Sequence, residues 1–185
     1  MAPDLDPMEF ARIADALQSA PTPTRTAEEI IDYVRDQLDA EHAGITLIRA
    51  HGELETVAAT ASMVEQLDVL QYELDEGPCR DSSWHRETLL VSDLAADRRW
   101  PRWATKAAAL GVSSVLAVEL TNAEDHRLGT INVYWPRRRL FTGDDIAFAN
   151  IFARHAALAL TQSANVAGLN SRWMAVSASA RLKAS

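Results

Sequence analysis

The chain has 185 residues, 48% hydrophobic and 24% charged, which is the balance of a globular protein and excludes collagen-like, low-complexity and fully disordered chains. Lys and Arg number 18 against 26 Asp and Glu, and the resulting net charge of −8 argues against a broad nucleic-acid-binding face. The single cysteine, Cys79, excludes an intramolecular disulfide, a cysteine-cluster metal site and a two-cysteine redox cycle.

In chain order, Asp6-Pro7-Met8-Glu9 places an acid at an N-cap and proline at the first helical position. Phe10, Ile13, Ala14 and Leu17 follow at helical spacing, predicting a helix over 7–18. Pro21-Thr22-Pro23-Thr24 separates it from a second helix, opened by the capping box Thr26-Ala27-Glu28-Glu29 and striped by Ile30, Ile31, Val34 and Leu38. Ala43 to Arg49 and Leu54 to Thr60 flank the short loop Ala50-His51-Gly52-Glu53 and predict a hairpin. Ser62-Met63-Val64-Glu65 reads as a second capping box, leading into Met63, Leu67, Leu70 and Leu74. An irregular segment follows, then a brief strand at Leu89 to Val91 and a helix from Trp100-Pro101 to Leu110, stopped by Gly111. Ser113 to Leu120 and Leu128 to Trp135 read as an antiparallel pair joined by Thr121 to Arg127. Thr142-Gly143-Asp144-Asp145 opens the longest helix, 143–163, with Ile146, Ala149, Phe152, Ala153, Ala156 and Leu160 on one face. Beyond it, Ser163 to Ser185 carries Arg172, Arg181 and Lys183 with no acid and reads as a weakly ordered tail.

This order predicts an α+β fold, an antiparallel sheet of five to six strands flanked by helices with a long C-terminal helix. The divisions are 1–20, a helical extension; 21–163, the main domain; and 164–185, the tail. The N-terminus lacks a basic region before an apolar core. The most apolar window, Ile146 to Leu160, is broken by Asn150, Arg154 and His155, so no membrane span and a cytoplasmic setting are expected.

The stretch Tyr72 to Leu120, YELDEGPCRDSSWHRETLLVSDLAADRRWPRWATKAAALGVSSVLAVEL, resembles GAF domains of actinobacterial regulators. It carries an EGPC-like turn, a V-x-D-L strand end, a W-P-x-W-A helix start and an L-G-V-x-S-V-L strand entry. The likeness continues through Leu128 to Tyr134 and Phe141-Thr142, covering roughly residues 20 to 163. It implies a GAF-like (PAS-like) sensor domain, most similar to that of the GAF–ANTAR transcription antitermination regulators. After Ala164 only 21 residues remain, too few for a three-helix ANTAR domain, so RNA binding is not expected of this chain.

The resemblance also implies a ligand pocket on one face of the sheet, roofed here by Met63 to Leu110. Tyr72, Pro78, Cys79, Trp84, Trp100 and Trp103 lie in that segment. Tyr and Trp offer large apolar area with one polar atom, which suits a pocket wall and equally a packed core. On the last strand, Leu128, Thr130, Asn132 and Tyr134 point one way and Ile131, Val133 and Trp135 the other. The polar set is either a pocket floor or a solvated face.

Cys79, with Asp81 and His85 close behind, is the one candidate nucleophile, if the turn before it lowers its pKa; the alternative is a small buried hydrophobe. Cys79 or His85 would also be the anchor for a bilin or haem, cofactors that some GAF proteins carry. His42, His51, His126 and His155 fall in loops or helix flanks without a metal-ligand spacing. Arg137-Arg138-Arg139 is either a phosphate or RNA contact or a solvated loop. The first and last helices, the last rich in alanine, are natural homodimer elements, as in the family. The expected function is non-catalytic sensing of an unidentified small molecule in signal transduction or transcription regulation. The alternatives are a GAF module used only for protein–protein contact, a haem or bilin sensor, and a Cys79-dependent enzyme.

Overall fold

The computed structural model describes residues 7–20, 22–85 and 88–168. Its strands are β1 (His42–Ile48), β2 (Leu54–Ala59), β3 (Leu89–Val91), β4 (Ser114–Thr121) and β5 (Arg127–Trp135). They form one antiparallel sheet in the order β2-β1-β5-β4-β3, at the lower end of the expected strand number. The helices are α1 (Pro7–Ser19), α2 (Pro23–Gln37), α3 (Ser62–Leu74), α4 (Pro78–His85), α5 (Pro101–Ala109) and α6 (Gly143–Val166).

Both faces of the sheet are covered, which explains the near-continuous apolar runs of β1, β4 and β5. Ala43, Ile45, Leu47, Leu116, Val118, Leu120, Ile131, Val133 and Trp135 meet α1, α2 and α6 in the larger core. Ile13 and Leu17 of α1 are buried in that core, and Phe148 and Phe152 of α6 stack with ring centres 5.7 Å apart. The opposite face carries Val115, Ala117 and Tyr134 and packs beneath α3, α4 and α5.

Three local signals read differently in three dimensions. The second helix starts at Pro23, not at the Thr26 box. Thr22 is the N-cap and accepts from the Arg25 amide at 3.2 Å, because proline at the first position has its φ preset and no N–H to satisfy. Thr26 instead donates back to the Thr22 carbonyl. Ser62 is the first residue of α3 rather than its cap; Ala61 precedes it and supplies no side-chain bond. The segment after α3, expected to be irregular, contains α4. The box at Thr142 does form: Thr142 Oγ1 accepts from the Asp145 amide, and the Asp145 carboxylate accepts from the Thr142 amide at 2.8 Å. Asp6 and the side chain of Phe10 lie outside the described residues, as do residues 169–185 of the tail.

Glycine matters where strands come closest. A Cβ on Gly129 of β5 would sit 1.9 Å from the Thr46 carbonyl oxygen of β1, a backbone atom that cannot yield without parting the central strand pair. Gly143, at the start of α6, faces open space. Gly129→Ala is therefore expected to cost about 3 kcal/mol or more in chemical denaturation, and Gly143→Ala to stay within about 0.5 kcal/mol of the parent.

Candidate functional site

The inward face beneath α3 and α4 is not a plain apolar core. Asp68, on the buried side of α3 with Val64, Leu67 and Gln71, is fully shielded from solvent. Its Oδ2 accepts from Thr56 Oγ1 of β2 at 2.7 Å and from Thr46 Oγ1 of β1 at 3.1 Å. Gln71 Nε2 donates to Oδ1 at 3.4 Å, and Tyr72 OH donates to Thr46 Oγ1 at 3.3 Å. The other end of Gln71 accepts from the Cys79 amide at 2.8 Å, and Thr130 Oγ1 of β5 donates to the Cys79 carbonyl at 3.4 Å. A polar chain thus runs from β2 across α3 to α4 and back to β5.

Asn132 and Tyr134 complete the cluster. Both are buried, so the polar set on the last strand is interior floor and not a solvated face. Among the described residues, neither Asn132 Oδ1, Asn132 Nδ2 nor the Tyr134 hydroxyl makes a hydrogen bond of good geometry, although Tyr134 stands beside Asp68 and the Cys79 thiol packs against Asn132. A buried carboxamide with both ends unsatisfied is costly and points to a missing polar partner. A cleft of about 230 Å³, lined by His42, Met63, Gly111 and Val112 among others, shares Tyr134 with the cluster.

Burial governs every titration here. It pushes the Asp68 carboxyl up to about 6, with the hydroxyls of Thr56 and Thr46 pulling the other way. It pushes the Cys79 thiol up to about 12, helped by the Asp68 charge, and raises both Tyr72 and Tyr134. Of the two readings of Cys79, these surroundings favour the small buried hydrophobe over the activated thiolate. The thiol is enclosed and neutral at physiological pH, the reverse of what a nucleophile or a covalent chromophore anchor requires.

The other candidates fall elsewhere. Pro78 is the buried first residue of α4. Trp100 and Trp103 pack edge to face, 6.4 Å apart, in the apolar core under α5. Their polar atoms are committed, Trp100 Nε1 to Asp81 at 2.7 Å and Trp103 Nε1 to the Leu67 carbonyl at 3.1 Å. The side chains of Trp84 and His85 lie outside the described residues. His42 opens β1 rather than sitting in a loop. Arg137 pairs with Asp39 at 2.6 Å, Arg138 with Asp93, and Arg139 with Asp145 at 2.8 Å; the first two pairs lie on the surface with their arginines exposed, and only the Arg139 pair is built into the fold. Among the described residues, no group of three His, Cys, Asp or Glu side chains is placed to hold a metal ion, and no helix is long and apolar enough to cross a membrane.

Asp68, Thr46, Thr56 and Gln71 were not among the sequence candidates. Their signal was polar residues inside apolar elements: threonine in GITLI, and Asp68 and Gln71 at helical spacing with Val64 and Leu67.

The architecture, a five-stranded antiparallel sheet with a roofed polar interior and a long terminal helix, is that of a sensory domain of the GAF type. The model of the GAF domain family matches residues 20–161, and the chain belongs to that family. Similar solved structures agree in fold. The GAF domain of a phosphoenolpyruvate-protein phosphotransferase from Coxiella burnetii superposes with a TM-score of 0.69 at 18% identity, over 86% of this chain and 94% of that one. Its Acinetobacter counterpart gives 0.68 at 14%, over 89% and 98%. The GAF3 domain of a Synechocystis protein, solved in its photoproduct state, gives 0.63 at 17%, over 80% and 98%. No curated protein sequence matches the chain.

Two outcomes are expected from these environments. Asp68 binds its proton more tightly folded than unfolded, so its contribution is largest below about pH 4 and is lost as pH rises through about 6. Asp68→Asn should flatten stability over that interval and raise it at pH 7 by up to about 3 kcal/mol, read as urea midpoints across pH. The native protein should resist a thiol reagent at pH 8 and react stoichiometrically once unfolded; fast native labelling would contradict the enclosed Cys79.

Proposed function

We propose that this GAF domain is the small-molecule sensor of a signalling protein, binding its ligand in the enclosed polar cluster of Asp68, Thr46, Thr130, Asn132 and Tyr134. The observation that carries this reading is the pair of buried, unpartnered polar side chains, Asn132 and Tyr134. A module used only for protein contact has no need of them. Tyr72, Pro78 and Cys79 belong to the roof, and Trp100 and Trp103 hold that roof in place. Enclosure of Cys79 weighs against both chemistry and covalent chromophore attachment at that residue.

The output side of the reading is the helical layer on the opposite face. Ile151 and Leu158, seven residues apart on α6, remain 43% exposed each, and Val166 extends the same edge. They support a homodimer formed through the terminal helices. Ligand occupancy would bias the arrangement of that pair and pass the signal beyond α6. A cytoplasmic place in transcription regulation, as in GAF–ANTAR regulators, rests on the Tyr72 to Leu120 resemblance.

Sedimentation should find a dimer whose association weakens at least tenfold in the double variant Ile151→Glu, Leu158→Glu, with the thermal melt of the protomer little changed. A monomeric parent would remove the dimer from the reading. Ligand saturation is expected to alter amide exchange along α6; an unchanged exchange pattern would leave the cluster with no output through that helix.

A further inference from the structure

The interior cluster is one-sided in charge and specific in its hydrogen-bonding vacancies, and both restrict what it accepts. Asn132 offers an amide oxygen and an amide nitrogen with no partner, so it presents one acceptor and two donors in a single plane. Its cross-strand neighbours are Gly44 on β1, over which Val64 of α3 closes, and Ala117 on β4, so neither strand places a large side chain beside it. Tyr134, two residues along the same face, adds an unpartnered hydroxyl. Among the described residues, Asp68 supplies the cluster's only charge, a carboxylate. Its Oδ2 is held by two threonines, while Oδ1 receives, among the described residues, a long contact from Gln71 alone.

The nearby roof cations face elsewhere. Arg80 is paired with Asp75 and Asp81, and Arg102 with Glu76. An anionic ligand would meet Asp68 across a low-dielectric interior with no described Lys or Arg side chain in the cluster to offset the repulsion. A group with a carbonyl beside an N–H, by contrast, pairs edge to edge with a carboxamide, as asparagine does with the donor–acceptor edge of a base. A further donor on such a ligand finds Asp68 Oδ1 and the Tyr134 oxygen.

Resting on the sensor reading above, we infer that the ligand is a small, uncharged, planar molecule bearing a carboxamide, lactam or ureide edge. That edge pairs bidentately with Asn132. Phosphate- and carboxylate-bearing compounds are excluded. The affinity comes from satisfying polar atoms that otherwise stay orphaned, so it depends on the donor–acceptor pair more than on ring size.

The test uses the full chain with nicotinamide, 2-pyridone and uracil as probes, against nicotinate and inorganic phosphate. The amides should raise the melting temperature in a dose-dependent way and bind in calorimetry, with nicotinate at least tenfold weaker than nicotinamide and phosphate without effect. Asn132→Leu should weaken the amides at least tenfold. On the unsubstituted protein, the Asn132 side-chain amide signals should move on titration with uracil, which keeps the test open if the variant does not fold. Nicotinate binding as tightly as nicotinamide would overturn the ligand class and leave sensing intact. The same holds if no amide binds but an apolar or aromatic probe from a wider screen shifts the Asn132 signals. Amide binding undiminished in Asn132→Leu with unmoved Asn132 signals would overturn the site. If no small molecule of any class moves those signals, both the ligand class and the sensor reading fall.

Discussion

A carboxyl group shut inside a sheet–helix interface, with no cation paired to it among the described residues, sets the terms for half of this fold. Removing a charge from water is expensive, and Asp68 is retained only because two hydroxyls from adjacent strands converge on one of its oxygens. Thr46 and Thr56 are cross-strand partners, brought opposite each other just past a register shift between Ile45 and Thr46. The helix that delivers Asp68 sits close because β1 has glycine where α3 crosses: a Cβ on Gly44 would lie 2.6 Å from Val64 Cγ1. Backbone proximity at Gly44, the strand irregularity and the aspartate therefore form one construction. Replacing Asp68 by leucine would leave both threonine hydroxyls without their acceptor, and the site would lose its polarity as well as its charge.

The sheet passes this constraint through to its other side. On β5, Thr130, Asn132 and Tyr134 belong to the polar interior, while Ile131, Val133 and Trp135 belong to the core shared with α2 and α6. Alternate residues of one strand thus serve two compartments, and any displacement of β5 is felt in both. Trp135 fixes the far side, donating to the Asp39 carbonyl at 2.9 Å and lying beneath the Arg139 guanidinium at 4.9 Å. Arg139 in turn pairs with Asp145 at the start of α6. The long helix is therefore tied at its first turn to the strand that floors the site.

Most of the framework was legible because it rests on local chemistry. The Thr142–Asp145 box, the Pro101 helix start, the glycine stop at Gly111 and the alternation of β5 each depend on neighbours close in the chain. What escaped depends on partners distant in sequence. Asp68 and Gln71 look like surface residues of an amphipathic helix until Thr46, Thr56 and Cys79 arrive, 22, 12 and 8 positions away. Helix α4 escaped because PCRDSSWH has no apolar stripe; its packing on β4 and β5 holds it, not its own propensity. Arginines 137 to 139 looked like a free basic run for the same reason, since Asp39 and Asp93 lie far off in the chain.

The EGPC turn shows why a short stretch carried so much of the family likeness. Glu76 reaches α5, where its carboxylate accepts from the Arg102 and Trp103 amides and pairs with Arg102 at 2.7 Å; these bonds hold it below the usual carboxylate range. It therefore caps a helix that Trp100 cannot cap. Gly77 takes a φ of 141° and leaves room for Gln71, whose Oε1 would lie 2.1 Å from any Cβ there. Pro78 starts α4, and the Cys79 amide closes onto that same Gln71 oxygen. Glu76 reaches α5 while Gly77 and Cys79 both meet Gln71 of α3, and together the four residues join α3, α4 and α5 into one roof. A larger residue at 77 would push Gln71 off the Cys79 amide and slacken its hold on Asp68, so the turn and the buried carboxylate depend on each other.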